Sequence, residues 1–255
     1  MFKRIAIPSL ITLSCIALVA GYFFHVGKYA AVRSSSDLCL DVRTIVLDSL
    51  ESCIANKEEI TRQIGSIVKG RAIDSIDTYE LERVLCNRGE IMSAQAYHDN
   101  ANEITVEVTQ RKPVIRLDNG TDRFYSDITG YLFPVENHID VPVITGHLTV
   151  NAGTGYKGYA DSSSTEWIRG MAVLAERISS DSYWSRQIEQ IDIEKNGDIV
   201  FYTATGKEKI IFGDYYDIEE KFKKLEAYYT NIEPLDSEKE YKSVNLKFKN
   251  QIICK

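Results

Sequence analysis

The sequence predicts an α+β protein with a single N-terminal transmembrane helix and two folded blocks, the second rich in strands and carrying two or more helices. Three observations support this. An uncharged apolar run fills Ile5 to Phe24. From Leu38 to Arg111 the apolar periodicity runs strand, helix, helix, strand, strand. Beyond Lys112, short alternating runs are divided by Asn-Gly and Thr-Gly turns and interrupted by stretches of helical spacing.

The apolar run is long enough to span roughly 30 Å of hydrocarbon as a helix. Lys3 and Arg4 precede it, which keeps the N-terminus in the cytoplasm and places the remainder outside, although Lys28 and Arg33 reduce the asymmetry. The expected order is therefore a tail at 1–4, a helix at 5–24 and a juxtamembrane linker at 25–37. A cleaved signal peptide fits less well, because the run is long and no A-x-A site lies near Ala20. A lipoprotein signal ending at Cys15 places its leucine one position too close.

A net charge of −7 argues against non-specific nucleic-acid binding, which needs a basic surface. Cys15, Cys39, Cys53, Cys86 and Cys254 match no C-x-x-C or zinc spacing. Outside the cytoplasm the last four face an oxidising compartment, which permits a disulfide and leaves its pairing open.

In the first block, "LCLDVRTIVLDS" reads as a strand. The helix "NKEEITRQIGSIVKG" is capped by Asn56 with Glu59, has Ile60, Ile64, Ile67 and Val68 on one face, and stops at Gly70. "DTYELERVLCNRG" repeats this logic from Asp77 and Glu80, with Leu81, Val84 and Leu85 inward. "IMSAQAYHD" is a weaker strand. "EITVEVTQ" is a strong one, because Ile104, Val106 and Val108 alternate with Thr105, Glu107 and Thr109.

Pro113 marks the joint between blocks, since it forces its predecessor into extended geometry. In the second block, Asp118-Asn119-Gly120 joins "PVIRL" to "RFYSD" as a hairpin. "YLFPV" and "VPVITG" are short strands. A helix follows from about Ser164, capped by Ser163 with Glu166, with Trp167, Ile168, Met171, Leu174, Ala175 and Ile178 on one face. Asn196-Gly197 makes a second hairpin, and "EKIIFG" follows Thr205-Gly206. The last helix, "DIEEKFKKLEAYYTNIEP", is expected to be capped by Asp217 and Glu220, with Ile218, Phe222, Leu225 and Tyr229 on one face.

No catalytic constellation stands out. "GTGYKG" (Gly153 to Gly158) matches G-x-G-x-x-G but lies in a polar stretch that does not run from a strand directly into a helix, so a loop is expected. His25, His98, His138 and His147 show no ligand spacing. Ser162, Ser163 and Ser164 lack a nucleophile-elbow context. No cofactor or metal is expected.

The whole order resembles the bacterial cell-division protein family FtsQ, also called DivIB. The resemblance is carried by "NEITVEVTQRKPVIRL" at the joint, "YSDITGYLFPV" as a D-x-x-G hairpin, "VPVITG" after it, and "YKSVNLKFKNQI" as a closing strand. The short tail and the "AGTGYKGYADSSS" loop depart from the family pattern. The resemblance implies a POTRA-like domain at 38–111 and a β domain at 112–255 ending in a strand at 243–254. It also implies a non-enzymatic, single-pass scaffold of the divisome, in the cytoplasmic membrane at the septum. The implied partners resemble FtsB (DivIC) and FtsL, with the septal peptidoglycan synthases FtsW and FtsI linked indirectly. A membrane-anchored periplasmic hydrolase would need an acid/base pair in a cleft, and an outer-membrane assembly factor with a POTRA domain would need a lipid-facing barrel.

The closing strand is the expected docking element. Val244, Leu246 and Phe248 are expected in the core. Tyr241, Ser243, Asn245, Lys247, Lys249 and Gln251 are expected to meet a partner that adds a strand at the sheet edge. Lys247 and Lys249 would discourage self-pairing and favour an acidic partner segment.

Overall fold

The structure, a computed structural model, describes residues 18–23, 38–47, 54–100, 102–135, 138–150, 152–153, 155–204, 208–235 and 241–255. Of the expected membrane span, residues 18–23 are helical and the others lie outside the described residues, as do the tail 1–4 and the linker 25–37. Among the described residues no helix is long and apolar enough to cross a membrane. The chain folds as two units, one containing residues 38–47, Ala55–Asn87 and Ser93–Thr109, the other Ile54, Arg88–Met92 and Gln110–Lys255.

The first unit has the element order that the periodicity predicts. It runs β1 (Asp41–Leu47), α1 (Lys57–Val68), a short 3₁₀ turn (Ile73–Ser75), α2 (Thr78–Cys86), β2 (Ile91–Asn100) and β3 (Glu103–Gln110). The strands form a sheet in the order β1-β3-β2, with β1 parallel to β3. Asn56 caps α1 by accepting from the Glu59 amide at 3.0 Å, and Asp77 caps α2 by accepting from the Tyr79 amide at 3.0 Å. Ile60, Ile64 and Val68 of α1 and Leu81 and Leu85 of α2 are buried. Each contributes about 1.5–3 kcal/mol of transfer free energy. β3 is the central strand, and Ile104, Val106 and Val108 are fully buried. β2 stands at the end of the order, where burial imposes less alternation, which is why its sequence signal is weak.

The second unit is built on a mixed sheet in the order β12-β11-β10-β9-β8-β7-β4-β5-β6. Its strands are β4 (Ile115–Asp118), β5 (Arg123–Ser126), β6 (Leu132–Phe133), β7 (Val143–Gly146), β8 (Ile188–Ile193), β9 (Ile199–Thr203), β10 (Lys209–Gly213), β11 (Ser243–Asn245) and β12 (Ile253–Cys254). The helices are α3 (Ser162–Ser179), α4 (Trp184–Gln187) and α5 (Ile218–Ala227), the last running into a π turn at Tyr228–Ile232. β7 pairs parallel with β8, and β10 with β11. A parallel neighbour requires a crossover connection; α3 and α4 supply the first and α5 the second. Alternate strand residues, among them Leu117, Ile144, Ile191, Phe201, Phe212 and Val244, share one core with Met171, Leu174 and Ile178 of α3 and Phe222 and Leu225 of α5.

Three local expectations need correction. The N-cap of α3 is Asp161, not Ser163, because its carboxylate accepts from the Ser163 and Ser164 amides at 3.1 and 3.0 Å. An anion is also favoured at a helix N-terminus. Asp217 does not cap α5 through its side chain, because its backbone is left-handed at φ 52° rather than extended. Only its carbonyl serves the helix, accepting from the Lys221 amide at 3.0 Å. Finally, α4 has no counterpart among the expected elements, since four residues are too few to show a helical period.

Candidate functional site

The chain closes in a hairpin rather than in one long strand. β11 and β12 pair antiparallel, with Val244 opposite Cys254 and Asn245 opposite Ile253. Ser243 and Lys255 exchange both backbone hydrogen bonds, at 3.0 and 2.9 Å. On its other side β11 pairs with β10, and the Leu246 amide donates to the Ile211 carbonyl at 2.9 Å. By antiparallel alternation, the Asn245 N–H faces β12 while the Cys254 N–H and C=O are directed away from β11. The end of the sheet is therefore β12, and β11 is an interior strand.

Two side chains fix the segment between these strands. Lys224 of α5 donates from Nζ to the Leu246 carbonyl and, at 2.9 Å, to the Phe248 carbonyl. Burial pushes its ammonium below the ordinary lysine range. On the facing side, Lys247 Nζ reaches both carboxylate oxygens of Asp198, at 2.7 and 2.8 Å. Asn245 Oδ1 accepts from the Lys247 amide at 3.0 Å, and Asn250 turns the chain with φ 56°.

At the start of the same unit, Arg111, Asp127 and Tyr131 form a second cluster. Arg111 Nη1 lies 2.7 Å from Asp127 Oδ2, with side chains 11% and 7% exposed. Asp127 Oδ1 also accepts from the Thr129 amide at 2.9 Å, the Thr129 hydroxyl at 2.6 Å and the Tyr131 amide at 3.2 Å. Gly130, at φ 82°, completes the turn. The charges of this cluster are spent on holding one loop.

A family model described as FtsQ/DivIB, C-terminal related, matches residues 112–255, more than half of the chain. The chain belongs to this FtsQ/DivIB-related family. No curated protein matches it. Membership associates the chain with cell division, and the FtsQ/DivIB-related span contains the whole mixed sheet and ends with the closing hairpin.

The hairpin redistributes the residues expected in a single closing strand. Val244 and Leu246 are fully buried, but Phe248, expected in the core, is 49% exposed. The strand ends at Asn245, so the inward alternation does not extend to Phe248. Tyr241 packs half-buried against the core, and Ser243 and Asn245 lie half-buried within the paired strand. Lys247 is engaged by Asp198, whereas Lys249 and Gln251 are exposed in the turn. Sequence reading missed the separate roles of Ile253 and Cys254. The usable signal was Asn250, a residue type that tolerates left-handed backbone.

Elsewhere in the unit, Gly158 bonds Leu132 through both backbone groups, at 2.9 and 3.0 Å, which ties the end of "GTGYKG" to β6. α3 then begins from its own cap at Asp161. A cleft of 540 Å³ is lined by His147, Trp167, Glu194 and Lys195, with Glu194 ion-paired to Lys209. Among the described residues no group of three His, Cys, Asp or Glu side chains is placed to hold a metal ion.

Proposed function

We propose that this FtsQ/DivIB-related chain is a non-enzymatic, membrane-anchored scaffold of the division machinery, acting at the septum outside the cytoplasm. Its partners resemble FtsB (DivIC) and FtsL, and through them it is linked to the septal synthases FtsW and FtsI. The N-terminal unit serves as a POTRA-like module, in keeping with its strand, helix, helix, strand, strand order. The observation that carries this reading is the position of β12 at the end of the family-matched sheet, paired with β11 as its one neighbour in the strand order. An extended partner segment adds there by main-chain pairing. Exposed Lys249 beside it favours an acidic residue in that segment.

The test is binding of the extracytoplasmic segment of the FtsB-like protein of the same organism to the full chain. Cys254→Pro removes an outward N–H while leaving the Ser243–Lys255 bonds in place, so binding falls and the melting temperature holds. Asn245→Pro removes an N–H that faces β12, so hairpin and binding are lost together. Wild-type binding by Cys254→Pro sinks the strand-addition reading.

A further inference from the structure

The segment between β11 and β12 is held from two sides by charges belonging to other elements. Residues 246–248 make neither strand nor helix. Besides the Leu246 amide bond to the Ile211 carbonyl and the Lys247 amide bond to Asn245 Oδ1, they are held by the Lys224 ammonium, which takes the Leu246 and Phe248 carbonyls, and by the Asp198 carboxylate, which takes Lys247. Lys224 lies on α5, within the crossover between β10 and β11, and Asp198 lies in the turn between β8 and β9. The two anchors are far apart in sequence but act on three consecutive residues. Neither contributes to the strand pairing itself.

β12 needs such support. It contains two residues and stands at the end of the strand order, with β11 as its one neighbour there. Two backbone carbonyls bound by one charged donor form stronger hydrogen bonds than neutral donors would give. Gly213 adds a spatial requirement: at φ 88° it lies against the Lys247 stem, where a Cβ would meet Cγ at 2.6 Å. The missing side chain at Gly213 leaves room for the Lys247 stem.

We propose that Lys224 and Asp198 are positioning residues that pre-form the β11–β12 hairpin, so that its outer edge is ordered before any partner arrives. The benefit is a smaller ordering cost on association. This rests on the reading that β12 is the docking edge, but the positioning itself can be measured without a partner.

The experiment is hydrogen exchange on the full chain, comparing wild type with Lys224→Met, Lys224→Arg and Asp198→Asn. Lys224→Met should speed exchange in residues 249–255 by roughly tenfold or more, while β8 and β9 keep their protection. Lys224→Arg, which can still donate to both carbonyls, should restore most of it. Asp198→Asn should loosen the same segment from the other side. Exchange within about twofold of wild type in both Lys224→Met and Asp198→Asn overturns the proposal. So does an equal rise across β8, β9 and the hairpin, because that marks general destabilisation. A second arm measures binding of the FtsB-like segment, which should weaken in Lys224→Met and recover in Lys224→Arg. Failure of wild type to bind that segment counts against the proposed docking function alone, and the exchange data still decide the positioning.

Discussion

The Arg111 guanidinium carbon lies 3.4 Å from the centroid of the Tyr131 ring, while the same group binds Asp127 at 2.7 Å. The cation is thus stacked on an aromatic face and paired with a carboxylate at once. Tyr131 is held in turn by the hydrogen bond that its backbone N–H donates to Asp127 Oδ1 and by an edge contact to Tyr159, whose ring centroid is 5.2 Å away. Removing one partner leaves a nearly buried charge without compensation. Asp127→Ala should cost about 3 kcal/mol or more in urea unfolding. Arg111→Met with Asp127→Asn should cost less than the sum of the single changes. Strict additivity would show that the two groups do not act as a pair.

Leu246 and Phe248 separate the core from the hairpin turn. Leu246 is fully buried, so Leu246→Ala should destabilise by about 2–5 kcal/mol. Phe248 is half exposed, and Phe248→Ser should remain within about 1 kcal/mol of wild type. Equal losses for both, read from denaturation midpoints, would contradict the placement of the turn.

The sequence shows what local periodicity determines and hides what distant residues determine. β3 was legible because it is central and buried, so Ile104, Val106 and Val108 record the alternation directly. Asn56 and Asp77 were legible as caps because their backbones are extended. Asp217 looks identical in sequence, but its left-handed backbone changes the outcome. The alternation from Val244 to Phe248 overruns the strand, which ends at Asn245, and the local mark of the turn is Asn250, with its left-handed backbone. The bonds from Lys224 to Leu246 and from Arg111 to Asp127 join positions that only the folded chain brings together.

Asp161 sets the pH dependence of α3. The Ser163 hydroxyl, followed by the Ser164 hydroxyl and amide, holds its carboxyl far below the ordinary carboxylate range. A folded-state pKa depressed below the unfolded value of about 3.9 gives stability that is fully present above that value. That stability is lost as pH falls toward the folded pKa. Asp161→Asn keeps an acceptor at the cap but removes the charge. Its melting temperature should lie below wild type at pH 6, and the gap should narrow steadily below about pH 4. A gap unchanged down to about pH 2 would remove Asp161 as the source.

Gly170 of α3 faces the ring of Tyr215, and a Cβ at this position would sit 2.3 Å from Cδ2. Two effects then compete in Gly170→Ala. Alanine improves helix propensity by about 1 kcal/mol over glycine. Displacing a packed ring costs about 1–3 kcal/mol. Tyr215 is half-buried and lies against Tyr216 at 4.7 Å between centroids, so it has limited room to withdraw. The tyrosine hydroxyls also meet, and that contact, with burial, pushes the Tyr215 phenol up to about 12. The steric cost should therefore win, leaving Gly170→Ala less stable than wild type. In a Tyr215→Ala background the obstacle is gone and only propensity remains, so the same substitution should stabilise by up to about 1 kcal/mol. The test is a double-mutant cycle by urea unfolding. The same sign in both backgrounds would show that the ring does not constrain the helix.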